Sequence, residues 1–319
     1  MNPSDENGLD FRDALPDEFG ELIAGAIDLH VHGQPDVSRE LRNRGGDAAV
    51  ARLAVAYGIR GWVLKSHLWP TTDRAALLQQ QFDPTVFTVL GSITLNPPVG
   101  GVVPTTVELA AAHGAKVVFL PTWGAAADVE RGGYIPTLLG RASPSFDAYQ
   151  HEHPISVIDG NGRLTGEMVA VMDACAERGL LLASGHISLQ ETMAIAERAA
   201  GNTPLFVNHP LHYATDGLGV LSELAALGAY IEFSSAPLLH PDAHLSVKQV
   251  FSAIDVVGSE HAVLTTDVFS RWVPPEPEAL RMFAEQLRYL GASPAELRRM
   301  FVENPRTALA RAGVGGIFS

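Results

Sequence analysis

The chain has 319 residues, of which 46% are hydrophobic and 18% charged, so it fits one large barrel or two modest domains with a substantial core. Its single cysteine, Cys175, excludes a disulfide framework and a cysteine-based zinc finger, and it suits a reducing compartment. A net charge of -14 without a Lys/Arg block argues against nucleic acid and anionic membranes as partners. With no signal-peptide pattern and no apolar run long enough to span a bilayer, we expect a cytoplasmic protein.

Short apolar runs alternate with amphipathic stretches from about Ala26 to the C-terminus. The apolar runs predict strands at 26–31, 61–66, 86–92, 116–121, 180–185, 204–208, 229–234 and 262–266. The amphipathic stretches predict helices at 47–57, 72–81, 105–113, 165–178, 190–200, 217–227, 245–257 and 276–290, several of which end at glycine. Eight strand–helix units in series predict a parallel sheet closed into a (β/α)8 TIM barrel over residues 24–319, after an N-terminal arm at 1–23.

One segment, residues 122–164, is too long for an ordinary strand-to-helix loop. Within it, ISVIDGNGRL has an Asp-Gly-Asn-Gly turn between apolar flanks, which predicts a small hairpin. The segment follows strand 4 and therefore lies on the face of the barrel where catalysis occurs. We interpret this insertion as a lid, with a decorative insertion or an oligomer contact as alternatives.

Residues able to bind a metal stand at the ends of four predicted strands. Strand side chains alternate, so Asp28, His30 and His32 are expected to share the interior face, with Asp28 orienting an imidazole. The other strand ends supply His186 after strand 5, His209 after strand 6 and Asp267 after strand 8. Because the C-terminal ends of barrel strands meet at one mouth, this pattern predicts a metal site there.

This arrangement resembles the amidohydrolase superfamily, whose pattern is His-x-His after strand 1, His after strands 5 and 6, and Asp after strand 8. The resemblance covers roughly residues 24–312. It implies a divalent metal centre of one or two ions that activates water, with Asp267 as metal ligand and proton shuttle. Zn²⁺ is the first choice for such histidine-rich ligation and Mn²⁺ the second. The metal or His209 would polarise the scissile carbonyl, and a homo-oligomer is an expectation from the family alone.

The chain departs from many binuclear members of that superfamily at strand 4, which has no lysine at its end. Strand 2 instead carries Lys65 and His67, two residues apart, so both can face the interior. A buried amine with a lowered pKa can react with CO2, and carboxylated Lys65 would then bridge two metals. Alternatively, Lys65 is a cation that binds a substrate anion or pairs with Asp28. His67 remains a metal ligand, a substrate contact or a loop residue.

Residues that follow the strand ends are candidates for contacts with a small-molecule substrate. Arg39, with Arg42 and Arg44 nearby, would clamp a carboxylate, although a solvated loop charge is the simpler explanation for each. The other candidates follow strands 2, 4, 6 and 8, and packing beneath loops is an equal explanation for them: Trp69, Trp123, His212, Tyr213 and Trp272.

The predicted reaction is metal-dependent hydrolysis of an amide, cyclic amide, ester or lactone bond. The alternative is a mononuclear, non-oxidative decarboxylase or a deaminase of the same superfamily. A bridging Lys65 favours hydrolysis with two metals, whereas an unmodified Lys65 with one metal favours the alternative. A metal-binding barrel without turnover is the third possibility, and the presence of Asp267 as a base argues against it.

Overall fold

The structure is a computed structural model, and it describes residues 20–37, 45–214, 217–240, 243, 245–269, 273–314 and 318. Of the predicted N-terminal arm, residues 20–23 fall within this set and include a 3-10 turn at Glu21–Ile23. Arg39, Arg42, Arg44 and Trp272 lie outside the described residues. No helix of the described residues is both long and apolar enough to cross a membrane.

Eight parallel strands pair in chain order, from β1 to β8. Their bounds are β1 Ile27–His32, β2 Gly61–Lys65, β3 Thr88–Thr94, β4 Ala115–Phe119, β5 Leu181–Ala183, β6 Leu205–Val207, β7 Tyr230–Ser234 and β8 Ala262–Thr265. Nearly every strand residue is buried, as expected for strands that have side chains packed on both faces. The predicted order of strands is confirmed.

The ring of strands is nearly closed where β8 meets β1. The backbone N–H of Asp267 donates to the carbonyl oxygen of His30 at 2.9 Å, and the Thr266 hydroxyl donates to Asp28 Oδ2 at 2.5 Å. Burial raises the pKa of Asp28 to about 7, although these hydrogen bonds oppose the shift. The fold is therefore a (β/α)8 TIM barrel, as predicted.

The prediction that Asp28 faces the interior with the histidines is wrong. The β1–β2 register is irregular between Asp28 and Val31, and this shifts the alternation of side chains. Leu29 packs in the same interior cluster as Phe119, and the ring of His30 also lies 5.5 Å from the Phe119 ring. Asp28 instead bonds at the seam to Thr266 and to the backbone N–H of His30.

Helices surround the barrel between successive strands. Their bounds are α1 Asp47–Ala56, α2 Thr72–Gln79, α3 Pro104–Ala112, α4 Ala126–Glu130, α5 Tyr134–Ala142, α6 Pro144–Glu152, α7 Gly166–Arg178, α8 Leu189–Ala199, α9 Gly219–Ala226, α10 Ala236–Leu239, α11 Val247–Val257, α12 Glu276–Leu290, α13 Pro294–Arg298 and α14 Asn304–Leu309. Glycine ends α7 as predicted, since Gly179 has a φ of +61° that other residues rarely adopt. The segments Arg299–Glu303 and Ala310–Val314 continue the last helices as π-helical turns.

The insertion after β4 forms the three helices α4, α5 and α6. The predicted hairpin reduces to a single antiparallel bridge between Ile158 and Leu164, around a turn in which Asp159 Oδ1 accepts two backbone hydrogen bonds. The insertion is tied to the barrel at Glu191 of α8, which accepts from the backbone N–H of Val157 at 2.8 Å. Its first helix, α4, lies beside the end of β5, because the backbone N–H of Ala126 donates to the carbonyl of Ile155 at 2.8 Å and Asp128 lies 2.9 Å from His186.

Candidate metal centre

The candidate site is built around Asp267, which follows β8 at the mouth of the barrel. Its Oδ1 atom lies 3.0 Å from Nε2 of His30 and 3.1 Å from Nε2 of His32. Its Oδ2 atom lies 3.8 Å from Nε2 of His209, which follows β6. All four side chains are buried. The ends of β1, β6 and β8 therefore bring these residues together, although they are far apart in the chain.

The backbones of His209 and Asp267 are left-handed, with φ values of 48° and 52°. For residues other than glycine this conformation costs roughly 1–2 kcal/mol. Surrounding hydrogen bonds hold both residues in it: Asp267 donates to the His30 carbonyl, and the His209 carbonyl accepts from the backbone of His212 at 3.0 Å. Strain of this kind concentrates at functional sites, where it aims a side chain that a relaxed backbone would direct elsewhere.

His186 joins the cluster from the end of β5. Its ring lies edge-on to that of His209, with centroids 5.0 Å apart, and its Nδ1 atom lies 2.9 Å from Oδ2 of Asp128 in the insertion. The chain can place His186 here because the residue before it is a glycine. Gly185 has a φ of +59°, and a Cβ on it would lie 2.3 Å from the Leu120 carbonyl oxygen. A larger residue before His186 would displace the strand end that carries it.

Three of the four imidazoles have their Nδ1 atoms bound to a buried carboxylate. The pairs are His30–Glu232 at 2.7 Å, His32–Asp36 at 2.6 Å and His186–Asp128 at 2.9 Å. A carboxylate at Nδ1 keeps the hydrogen on that nitrogen and leaves the Nε2 lone pair available to a metal. Carboxylates in this position are typical of those that orient histidines in metal sites.

At most of these positions, burial and neighbouring charges favour the protonation state in which the side chain can bind a metal. Burial lowers the pKa of His186 and holds that of His209 well below its usual range, so both imidazoles are neutral at pH 7. Burial also opposes ionisation of Asp267, but the neighbouring His30 and His209 outweigh it and hold its pKa well below normal. At His30, burial is outweighed by Asp267 and Glu232, which raise the pKa to about 9, so a metal would displace a proton there.

Lys65 ends β2 beside His32, its register partner in β1. Its side chain is completely buried, with Nζ 2.9 Å from Nε2 of His30 and 4.9 Å from the centre of the Phe119 ring. The expectation that Lys65 pairs with Asp28 does not match these contacts. Burial lowers the pKa of its amine, which increases the fraction in the nucleophilic neutral form.

Asp36 joins the loops that follow β1 and β2. Its Oδ2 atom lies 2.6 Å from Nδ1 of His32 and 2.8 Å from Nδ1 of His67, while its Oδ1 accepts from the Ser66 hydroxyl and the His67 backbone at 2.9 Å. The rings of His32 and His67 are stacked with centroids 4.3 Å apart. Burial opposes ionisation of Asp36, but these partners hold its pKa well below normal. His67 is thus fixed directly beside the metal-ligand candidates.

The predicted substrate contacts divide into two groups. His212 and Tyr213 lie at the site: the His212 ring is stacked with that of His209 at 5.6 Å, and the Tyr213 hydroxyl donates to the His186 carbonyl at 2.8 Å. Trp123 is 1% exposed and its indole N–H donates to the carbonyl of His67, so it packs beneath the loops. Trp69 is 61% exposed, close to the end of β2.

The residues present fit a divalent metal. Donor atoms of His30, His32 and Asp267 lie within 4.8 Å of one another, and Nε2 of His32 is buried without a hydrogen bond among the described residues. Imidazole nitrogens with a carboxylate are a ligand set typical of Zn²⁺ and also suit Mn²⁺. Two further sets of donor atoms also lie within 4.8 Å of one another: those of His30, His209 and Glu232, and those of His32, Asp36 and His67. The carboxylates of Glu232 and Asp36, however, already accept several hydrogen bonds.

Residues 25–232 match the model of a family described as a family of unknown function, DUF6282. The chain belongs to this family. No curated protein matches its sequence.

Solved structures match the fold of this DUF6282 protein along most of their length. An amidohydrolase from Pseudomonas aeruginosa has a TM-score of 0.61 at 11% identity, covering 92% of this chain and 98% of its own. A probable dipeptidase from the same organism has a TM-score of 0.62 at 12% identity, and the match covers 94% of this chain and 97% of the dipeptidase. A 2,6-dihydroxybenzoate decarboxylase, bound to 2,6-dihydroxybenzoate, has a TM-score of 0.55 at 11% identity, and the match covers 90% of this chain and 99% of the decarboxylase. The resemblance to the amidohydrolase superfamily is thus confirmed at the level of the fold.

Sequence reasoning missed the three carboxylates that orient the histidines of this DUF6282 protein. Glu232 is the one charged residue in the apolar run of β7, and that isolation was a usable signal. Asp36 stands in a loop after His32 without a distinguishing pattern, and Asp128 belongs to the insertion. Their partners are between 4 and 202 positions away in the chain, so the fold is needed to assign each carboxylate to its histidine.

Proposed function

We propose that this protein is a metal-dependent hydrolase that cleaves an amide, cyclic amide, ester or lactone bond of a small molecule with activated water. The observation that carries the proposal is the convergence of two Nε2 atoms, from His30 and His32, on Oδ1 of Asp267 at 3.0 and 3.1 Å. Further support comes from the fold, which the chain shares with amidohydrolase structures.

The residues that would hold the metal are His30, His32, His186, His209 and Asp267, with Lys65 beside them. A bound divalent cation lowers the pKa of water, which makes hydroxide available near neutral pH. Zn²⁺ is our first choice and Mn²⁺ the second. We propose the cytoplasm as the compartment, in line with the single buried cysteine, Cys175.

Asp267 is the proposed proton carrier. Its Oδ2 atom is the one farther from the imidazole nitrogens, 3.8 Å from His209, and is the better placed to accept a proton from the attacking water and deliver it to the leaving group. His209 would orient the scissile carbonyl. Glu232 keeps the ring of His30 in place by accepting its Nδ1 hydrogen at 2.7 Å.

A second candidate function depends on the chemical state of Lys65, whose Nζ atom lies 2.9 Å from Nε2 of His30. It is supported by the fold, which the chain shares with a decarboxylase structure. An unmodified Lys65 would favour a mononuclear decarboxylase or a deaminase. A carboxylated Lys65, formed when the neutral amine attacks CO2 and releases a proton, would favour two metals and hydrolysis. Nuclear magnetic resonance of protein incubated with isotopically labelled bicarbonate distinguishes the two, because a carbamate carbon has its own resonance.

The test of the proposed function is a substrate panel of amides, lactones and aromatic carboxylates, assayed with protein loaded with Zn²⁺ or Mn²⁺. We expect hydrolysis of at least one amide or lactone, and a loss of roughly 10²–10⁴-fold in Asp267→Asn with metal still bound. Asp255→Asn, a carboxylate change on the exposed face of α11, is the matched control and should retain full activity. Release of CO2 from an aromatic carboxylate would instead favour the second candidate, and turnover by Asp267→Asn at the wild-type rate would exclude the role of Asp267.

A further inference from the structure

The turn between α4 and α5 of the insertion places two unlike side chains next to the candidate site. Arg131 follows α4 and Tyr134 begins α5, with Gly132 and Gly133 between them. Gly133 has no room for a side chain, because a Cβ there would lie 2.3 Å from Oδ1 of Asp128. The turn is therefore packed directly against the carboxylate that orients His186.

Arg131 presents a guanidinium at this position. One of its nitrogens pairs with Asp128, and the group lies over the ring of Tyr213 at 5.1 Å. Tyr213 in turn donates to the His186 carbonyl at 2.8 Å, so the cation stands beside a metal-ligand candidate.

The guanidinium of Arg131 retains donors for a ligand. Its side chain is 34% exposed, and within the described part of the chain its ion pair with Asp128 occupies a single nitrogen of a group that carries five N–H donors. Among the described residues, Lys65 is also a cation in contact with the site, but it is fully buried against His30 and presents no free face to the mouth of the barrel. Arg131 is therefore the better placed of the two to meet an anion that enters from solvent.

Tyr134 supplies a flat apolar surface near the same mouth. Its side chain is half-exposed, and its ring lies 6.0 Å from the ring of Phe269. On the side towards the site, the centroid of the Phe269 ring lies 5.6 Å from that of His32 and 5.6 Å from that of His67. These rings form a continuous aromatic wall from the insertion to the metal-ligand candidates.

We propose that the turn Arg131–Tyr134 is the substrate-recognition element of this site, and that the substrate is a carboxylate with a planar apolar body. The inference rests on the proposed function for the location of the reacting bond. Arg131 would receive the carboxylate, since a guanidinium matches its two oxygens with parallel hydrogen bonds. Tyr134 and Phe269 would receive the planar body, which gains from stacking against their rings.

The test compares binding of benzoate, its neutral analogue benzamide, and acetate to metal-loaded protein by isothermal titration calorimetry. We expect wild-type protein to bind benzoate at millimolar concentration or below, and Arg131→Gln to weaken this binding by roughly 10-fold or more while leaving benzamide unchanged. Arg131→Lys should retain part of the affinity. Tyr134→Ala should weaken benzoate and benzamide but not acetate. Arg141→Gln, an exposed charge change in α5, is the matched control and should bind benzoate as wild type does.

The opposing explanation is that Arg131 only neutralises Asp128. Arg131→Gln would then lower the metal content and the melting temperature, and would weaken benzoate and benzamide alike; that result overturns the proposal. Absence of benzoate binding to wild-type protein, or unchanged benzoate binding in Arg131→Gln, also overturns it. Because binding needs no turnover, the outcomes separate the two proposals. Arg131-dependent binding without hydrolysis of any panel compound refutes only the proposed function, whereas hydrolysis without Arg131 dependence refutes only the recognition element.

Discussion

Replacing Glu232 with glutamine tests how far the site depends on a residue that would not itself touch the substrate. Oε1 of Glu232 lies 2.7 Å from Nδ1 of His30 and accepts from the Thr265 hydroxyl at 2.8 Å. Its Oε2 accepts from the side-chain amide of Asn208 at 3.0 Å and, at 3.4 Å, from the backbone of His209. The carboxylate thus meets donors on both oxygens, and a glutamine can offer an oxygen to only one side.

The magnitude follows from the tautomer of His30. If the new amide nitrogen faces His30, Nδ1 must become the acceptor and Nε2 must carry the hydrogen, which removes the lone pair that a metal needs. If the new amide nitrogen instead faces Asn208, its N–H donors and those of the Asn208 side-chain amide point at each other near His209. Loss of such an orienting carboxylate typically lowers metal affinity 10- to 100-fold, or about 1.4–2.7 kcal/mol. We expect Glu232→Gln to fall in this range.

The assay is a competition between protein and a chromophoric chelator for Zn²⁺, with circular dichroism to confirm that the fold is intact. Glu108→Gln is the matched control, because it makes the same chemical change at a partly exposed residue of α3 that pairs with Arg178. Such surface pairs contribute roughly 0–1 kcal/mol to stability and should not alter metal affinity. A folded Glu232→Gln protein whose zinc affinity equals that of wild type would refute this reasoning.

Three further changes test the fold and its link to metal. In urea denaturation, Gly185→Ala should lower the free energy of unfolding by more than about 3 kcal/mol, because backbone strain adds to a clash with Leu120. The control Gly114→Ala, at a φ of +96° and with open space around it, should lower it by about 1–2 kcal/mol. Equal losses in the two variants would contradict this prediction. Asn304→Ala should cost roughly 1–3 kcal/mol, since its amide donates to the Ala262 carbonyl at 2.6 Å and to another at 2.7 Å, and an unresolvable change would count against that role. Chelation should lower the melting temperature, and Zn²⁺ at a hundredfold excess over its dissociation constant should restore about 2.7 kcal/mol; a temperature indifferent to both treatments would argue against a metal bound by the folded state.

Much of the fold followed from the sequence because strand and helix signals are local. The predicted strand 262–266 corresponds to Ala262–Thr265, and the predicted helix 276–290 to Glu276–Leu290. The same locality located His30 and Asp267, since each stands where an apolar run ends and a parallel barrel gathers those ends at one mouth.

The errors and omissions arose where geometry departs from strict alternation or where partners are distant. Asp28 was assigned to the interior because a regular strand alternates, and the irregular register of β1 breaks that rule. Asp128 could not be assigned, because its role depends on the insertion folding back onto His186, 58 positions later in the chain. Two metal-ligand candidates, His209 and Asp267, occupy left-handed backbone that local propensity does not predict for these residues.

The most direct test of the central claim is X-ray diffraction from crystals of zinc-loaded protein, with anomalous data collected at the zinc absorption edge. The account predicts an anomalous peak about 2.0–2.2 Å from Nε2 of His30, Nε2 of His32 and a carboxylate oxygen of Asp267. Zinc found only elsewhere on the protein, with these three side chains still in mutual contact, would contradict it.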